Sequence, residues 1–96
     1  MAMNSDWPFT ETENVAVITT SRVVQEGRAI LLVIHDEDGE WQFLDGGEVR
    51  AEDGMVVSLG NIVRRDNSLT SLANLRVGWQ AWRENIHSSW NRERIS

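Results

Sequence analysis

Residues 28–46 read RAILLVIHDEDGEWQFLDG, and the fold turns on how this stretch doubles back. Two apolar runs of strand length, Arg28–His35 and Glu40–Asp45, enclose Asp36-Glu37-Asp38-Gly39. Asp-Gly between such runs signals a hairpin, because a type I′ turn needs two residues that tolerate positive φ. With Asp38-Gly39 as a two-residue turn, Glu37 faces Glu40, Asp36 faces Trp41, His35 faces Gln42, Ile34 faces Phe43 and Val33 faces Leu44. Opposed residues share a face. One face then reads Ile30, Leu32, Ile34, Phe43 and Trp41 and is expected to meet the core. The other reads Leu31, Val33, His35, Gln42 and Leu44 and is expected to be only partly covered.

On the N-terminal side, Val15–Thr20 (VAVITT) is rich in β-branched residues and predicts a first strand. Gln25-Glu26-Gly27 predicts a turn, and Met1–Asn14 reads as a polar, extended arm anchored by Trp7-Pro8-Phe9. On the C-terminal side, Gly46-Gly47 opens an irregular acidic stretch that ends at Gly54. Met55–Val57 continues as a short strand, and Ser58 is placed to cap a helix. Val56, Leu59, Ile62 and Val63 fall on one helical face that ends at Arg64-Arg65, cations that suit a helix C-terminus. Asp66 or Asn67 starts a second short helix with Leu69, Leu72 and Leu75 inward.

Residues 78–84 admit two readings. As a strand they place Trp79, Ala81 and Arg83 on one face and Gln80, Trp82 and Glu84 on the other. As a helix after Gly78, Trp79, Trp82, Ile86 and Trp90 share a face. The strand is preferred, because the three strands already read need a fourth partner. The expectation is an α+β fold: a small antiparallel sheet of about four strands with a central hairpin, and one or two short helices inserted before the last strand. Residues 1–14 form a flexible arm, 15–90 a single domain and 91–96 a polar tail.

At 96 residues the chain is one domain's length, and 41% hydrophobic residues place it in the globular range. It holds no cysteine, which excludes disulfides, thiol catalysis and cysteine-ligated metals. It holds neither lysine nor tyrosine, which removes Schiff-base, P-loop and phenolic chemistry. His35 and His87 alone do not build a three-histidine metal site. The net charge of −6 argues against nonspecific nucleic-acid binding and against docking on an anionic membrane. Met1–Asn14 lacks the pattern of a secretory signal, and the aliphatic run Ala29–Ile34 is too short to span a bilayer, so a cytoplasmic location is expected.

Motifs that suggest catalysis fail on inspection. A calcium loop with its glycine at Gly39 would begin at Ile34, which has no ligating atom, and end at Asp45 rather than glutamate. Val57-Ser58-Leu59-Gly60 is half of a nucleophile elbow, with Val56 where a glycine is required. His35 and Asp36 have the residue types of a base and its orienter, yet neighbours on a strand point to opposite faces. Gly46-Gly47 is followed by Glu48, which repels phosphate. No catalytic residue, metal site or cofactor is expected, and the acids are read first as solvated loops that keep a small protein soluble. Five tryptophans stand against two phenylalanines. Trp41 and Trp79 are therefore expected in the core, and Trp90, in a polar, arginine-flanked setting, is the candidate for an exposed anchor.

The run Trp41-Gln42-Phe43-Leu44-Asp45-Gly46, of the form W-x-F-x-x-G, resembles a family of small bacterial domains of unknown function that are predicted immunity proteins of polymorphic toxin systems. The likeness continues through Leu59-Gly60-Asn61-Ile62-Val63, Asp66 and Leu69 to Gly78 and Ala81-Trp82-Arg83-Glu84, and spans residues 15–84. The resemblance implies an α+β fold, a strand at 78–84 and a protein that blocks a toxin by binding it. Toxins that attack nucleic acids are commonly basic, and residues 36–53 carry eight acids against Arg50 alone. An acidic lobe steers such a partner. The expected contacts are Asp36, Asp38, Glu40, Glu48 and Asp53, with Trp90, on a basic toxin or another protein partner. A structural or regulatory interaction module that self-associates, as a homodimer, through an apolar sheet face or the Trp90 segment is the second expectation, and a small carboxylate-dependent hydrolase the third.

Overall fold

The β-branched run that opens the chain's regular structure becomes strand β1 (Ala16–Thr20), and it passes directly into a single helical turn, α1 (Ser21–Val24). In this computed structural model, which describes residues 7–95, Thr20 ends β1 and caps α1, its hydroxyl accepting from the Val23 N–H at 3.4 Å. Strands β2 (Leu32–His35) and β3 (Trp41–Leu44) form the hairpin. A 3-10 turn (Ala51–Asp53) leads into β4 (Gly54–Ser58). Ser58 caps α2 (Leu59–Arg65) by accepting from the Asn61 N–H at 3.2 Å, as its position predicted. A second 3-10 turn (Asn67–Leu72), β5 (Trp79–Trp82) and β6 (Asn91–Arg94) complete the fold.

The architecture is α+β, built on a mixed six-stranded sheet of order β4-β1-β3-β2-β5-β6. The expected sheet of about four antiparallel strands is too small in two respects. β4 is a full five-residue strand against β1, and β6 adds an edge beyond β5. The two helical segments accordingly precede β5, which is not the last strand. One pairing is parallel, β1 with β3, with Ile18 opposite Gln42. Across that seam the buried Thr19 hydroxyl donates to the Phe43 carbonyl at 2.6 Å.

The stretch read as a polar tail contains β6. Its four residues are all exposed and carry no apolar alternation. They are held by the β5 ladder, by Gln80 Nε2 donating to Glu93 at 2.8 Å, and by Arg92 donating to Asn74 and the Ser71 carbonyl. The described part of the arm, residues 7–14, packs against the domain: Phe9 is buried, and Trp7 donates its ring N–H to the Glu11 carbonyl at 2.7 Å. Residues 1–6 of the expected arm lie outside the described residues.

The hairpin register differs by one residue from the expected one. His35 pairs with Trp41, Ile34 with Gln42, Val33 with Phe43 and Leu32 with Leu44. The Gly39 N–H donates to the Asp36 carbonyl at 2.9 Å, and the Asp36 N–H donates to the Glu40 carbonyl at 2.9 Å. Gly39 sits at φ +89°. This is a type I turn followed by a left-handed glycine, the three-residue hairpin loop, in which aspartate favours the first position and glycine the fourth. The Asp36 carboxylate secures it by accepting from the N–H groups of Asp38 and Glu40. A one-residue slip turns a strand over. Val33 and His35 therefore face the core, while Leu32 and Ile34 face away.

One side of the sheet is covered. Val17, Val33, Trp41, Phe43 and Ala81 meet Val23 of α1, Leu59, Ile62 and Val63 of α2, and Leu69 and Leu72 of the second 3-10 turn, with Phe9 alongside. Trp41 is in the core as expected, and Trp79 packs against its edge. Residues 79–82 take the strand reading, with Ala81 and the following Arg83 buried and Trp82 exposed, as alternation required.

Candidate functional site

Strand β3 separates the acids that the sequence places together. Asp36, Asp38 and Glu40 lie at the β2–β3 turn, and Glu48 and Asp53 follow the opposite end of β3. At about 3.4 Å per residue, Glu40 and Asp45 stand roughly 17 Å apart along the strand. The second group is also engaged. Arg22 of α1 donates to Asp45 at 2.9 and 3.3 Å, to Asp53 at 3.0 Å and to the Glu48 carbonyl at 2.6 Å. The hydrogen bond from Arg22 outweighs desolvation and holds the Asp45 carboxyl below its ordinary range, with the Gly47 N–H adding to it. The single acidic lobe is thus two regions: a loop folded around one arginine, and a turn where Glu37, Asp38 and Glu40 are exposed with no ion pair among the described residues.

Trp90 is not an exposed anchor. It is half-buried against the core, and the Arg83 guanidinium lies 4.1 Å from its ring centroid. Arg83, 4% exposed, also donates to the Ile30 carbonyl at 2.9 and 3.2 Å, to Ser68 Oγ at 3.0 Å and to Asp66 at 2.6 Å. Burial works to raise the Asp66 carboxyl, but the hydrogen bonds from Ser68 and Arg83 outweigh it and leave it below the usual range. The cleft beside this cluster, about 470 Å³ and bordered by Ile30, Arg65, Asp66, Ser68 and His87, has Arg65, Asp66 and Ser68 engaged in structural bonds, whereas the His87 ring makes none among the described residues.

His35 has a structural setting. Its Nδ1 donates to the Leu75 carbonyl at 2.8 Å, and its ring stacks on Trp41 with centroids 3.9 Å apart. Trp41 donates to Glu11 at 3.0 Å, which leaves Glu11 3.9 Å from His35 Nε2, beyond a good hydrogen bond. Asp36 serves the turn and not the histidine. Among the described residues no group of three histidine, aspartate or glutamate side chains is arranged to hold a metal ion.

The uncovered side of the sheet carries the most distinctive surface. The strand registers line up Val56, Ile18, Gln42, Ile34, Gln80 and Glu93 in one row across all six strands. A second row runs Leu44, Leu32, Trp82 and Asn91. Val56 is 70% exposed and Trp82 38%. Ile18, Leu32, Ile34, Gln42 and Gln80 are half-buried by their neighbours, and Leu44 at the strand end is buried. The buried side chains of α1, α2 and the second 3-10 turn all join the opposite face. This surface offers flat apolar contact with two side-chain amides inside it, the chemistry of protein recognition. The expected hairpin register put Leu32 and Ile34 in the core and so hid it. The signal that would have located it is Asp36 with Gly39 three residues later, together with the Gln80/Trp82 alternation.

Among the described residues no helix is long and apolar enough to cross a membrane. No family model, no curated protein and no solved structure matches the chain.

Proposed function

We propose that this chain is a non-catalytic protein-binding module that holds its partner on the uncovered sheet face and attracts a basic partner through the acids of the β2–β3 turn. The observation that carries the reading is the open face with its six-strand row and the row beside it, from which Val56 of the first and Trp82 of the second stand out. Such a surface is anchored by its aromatic residue, while exposed charges at the rim govern the rate of encounter. Glu37, Asp38 and Glu40 continue from the hairpin that supplies Ile34 and Gln42, so steering and anchoring groups share one element. The structural roles of His35 and Asp36 support a non-catalytic reading. The resemblance to immunity proteins gives the partner class, a basic toxin met in the cytoplasm.

The test is capture from host lysate on immobilised wild-type chain and two variants, Trp82→Lys and a combined Glu37→Gln, Asp38→Asn, Glu40→Gln. A basic protein held by the wild type is expected to be lost from Trp82→Lys and to bind the turn variant with a weaker dependence on salt. Retention unchanged in both variants, with their circular dichroism intact, would overturn the proposal.

A further inference from the structure

The two edges of the sheet differ in kind. β6, Asn91-Arg92-Glu93-Arg94, is exposed throughout and charged at three of its four positions, which blocks pairing with another strand. β4, Gly54-Met55-Val56-Val57-Ser58, carries no charge. On the side away from β1 the Gly54 N–H donates to the Ala51 carbonyl, while among the described residues no loop or side chain bonds the Val56 backbone. An uncharged edge with β-branched residues and open backbone groups is a template for another strand.

The neighbourhood of β4 indicates which strand. Met55 and Val57 pair with Thr19 and Val17, so they lie on the covered face, and Val56 lies on the open one. Beside Val57 runs a groove of about 370 Å³ lined by Val24, Val57 and Ile62, with Asn61, Arg64 and Arg65 at its rim. Antiparallel pairing of β4 with itself about Val56 sets Val56 against Val56, Val57 against Met55 and Gly54 against Ser58. Each Met55 then stands on the covered face beside the other copy's Val57, at the mouth of that groove. A methionine, flexible and unbranched, suits such a gap. The acidic residues Glu52 and Asp53 precede Met55 and so approach the Arg64 and Arg65 rim of the second copy. Within one copy Asp53 pairs with Arg22 and Arg64 with Glu13, while Glu52 has no ion pair among the described residues and the Arg64 side chain, 66% exposed, is open to a second acid.

We propose that two copies of this chain pair antiparallel through β4, about a twofold axis at Val56, to form a continuous twelve-stranded sheet, with Met55 of each copy seated in the Val24–Val57–Ile62 groove of the other. The contact is isologous and therefore closes. The outer edges of the assembly are the two charged β6 strands, so growth stops at the dimer. Apart from Val56 at the axis, both open faces remain free, Trp82 included, so the two proposals are tested by different variants.

The experiment is molar mass by light scattering over the micromolar to millimolar range, for the wild type, Val56→Glu and Trp82→Lys, together with oxidation of Val56→Cys. The wild type is expected at twice the chain mass, Trp82→Lys unchanged, and Val56→Glu at the monomer mass, because two carboxylates then meet at the axis. The chain has no cysteine, so Val56→Cys carries the sole thiol. Directly opposed strand positions lie about 5 Å apart at Cβ, and mild oxidation is expected to yield a covalent dimer, whereas Trp82→Cys stays monomeric on a denaturing gel. A wild type that is monomeric throughout the range overturns the proposal. So does a dimer that survives Val56→Glu but dissociates in Trp82→Lys, which would assign the contact to the open face. If Val56→Glu fails to fold, the oxidation result decides alone, and a Val56→Cys chain that gives no covalent dimer overturns the proposal.

Discussion

Replacing Asp66 by asparagine isolates the one charge that faces the buried Arg83. Asparagine caps as well as aspartate, so its Oδ1 keeps the Ser68 backbone and hydroxyl donors that Asp66 Oδ1 now accepts. The position of Oδ2, which accepts from Arg83 at 2.6 Å, becomes an NH₂ that opposes the guanidinium donor to donor. A hydrogen bond to a charged group contributes about 1.5–3 kcal/mol. The Asp66 side chain is 24% exposed, and solvent screening places the loss in the lower half of that range, at about 2 kcal/mol. For a domain of this size that is a fall in Tm of roughly 8–16 °C. The assay is urea unfolding followed by tryptophan fluorescence, with Trp90 against Arg83 as an internal reporter. The Asp66 carboxyl is held low in the folded chain. Its contribution is therefore complete above the unfolded pKa of about 3.9 and disappears as pH falls through the lower folded value. Wild type and Asp66→Asn should differ most at neutral pH and converge in acid. An unchanged midpoint at neutral pH, or a gap undiminished below about pH 3, would refute the account of this cluster.

Other perturbations give separate readings. Gly39→Ala meets no atom within 4 Å, so its cost is the positive φ alone, about 1–2 kcal/mol in thermal or urea unfolding. Trp82→Lys changes stability by less than about 1 kcal/mol, since the side chain belongs to no buried cluster, and a larger loss would mean that the open face is a core. Arg22→Ala frees residues 45–53, and limited trypsin digestion should then cut after Arg50 faster than in the wild type. Thr19→Val removes the side-chain bond across the parallel seam and strands a buried carbonyl, at about 1–3 kcal/mol.

Local chemistry was readable from the sequence where a single residue decides it. Ser58 announced the start of α2, VAVITT the first strand, and alternation through residues 79–83 the faces of β5. The hairpin was readable as a hairpin but not in register, because Asp38-Gly39 also satisfies the two-residue loop; Asp36, bonding its own turn from the first position, tips the balance. β6 was not readable. Asn91-Arg92-Glu93-Arg94 has no preference of its own for a strand, and its pairing comes from the edge that β5 offers. At the surface, the count of acids was plain in the sequence and their positions were not: a four-residue strand parts them, and Arg22, far away in the chain, draws one group inward. Trp90 was expected outside for its polar neighbours, yet one of the arginines nearby in sequence, Arg83, holds it in.

The parallel seam bears on how the molecule comes apart. It divides the sheet into β4-β1 on one side and the antiparallel run β3-β2-β5-β6 on the other. Neither part is a continuous piece of chain, since β1 and β4 flank β2 and β3 in sequence. Every connection between them crosses the seam, and the core side chains of α2 pack with those of both parts. A cut in the β2–β3 or the β3–β4 connection divides both parts at once, and the shared core ties the opening of one to that of the other. The line that looks like a boundary in the sheet is therefore no boundary in unfolding. The domain is built to melt as one cooperative unit, its strands losing amide protection together and not in two stages.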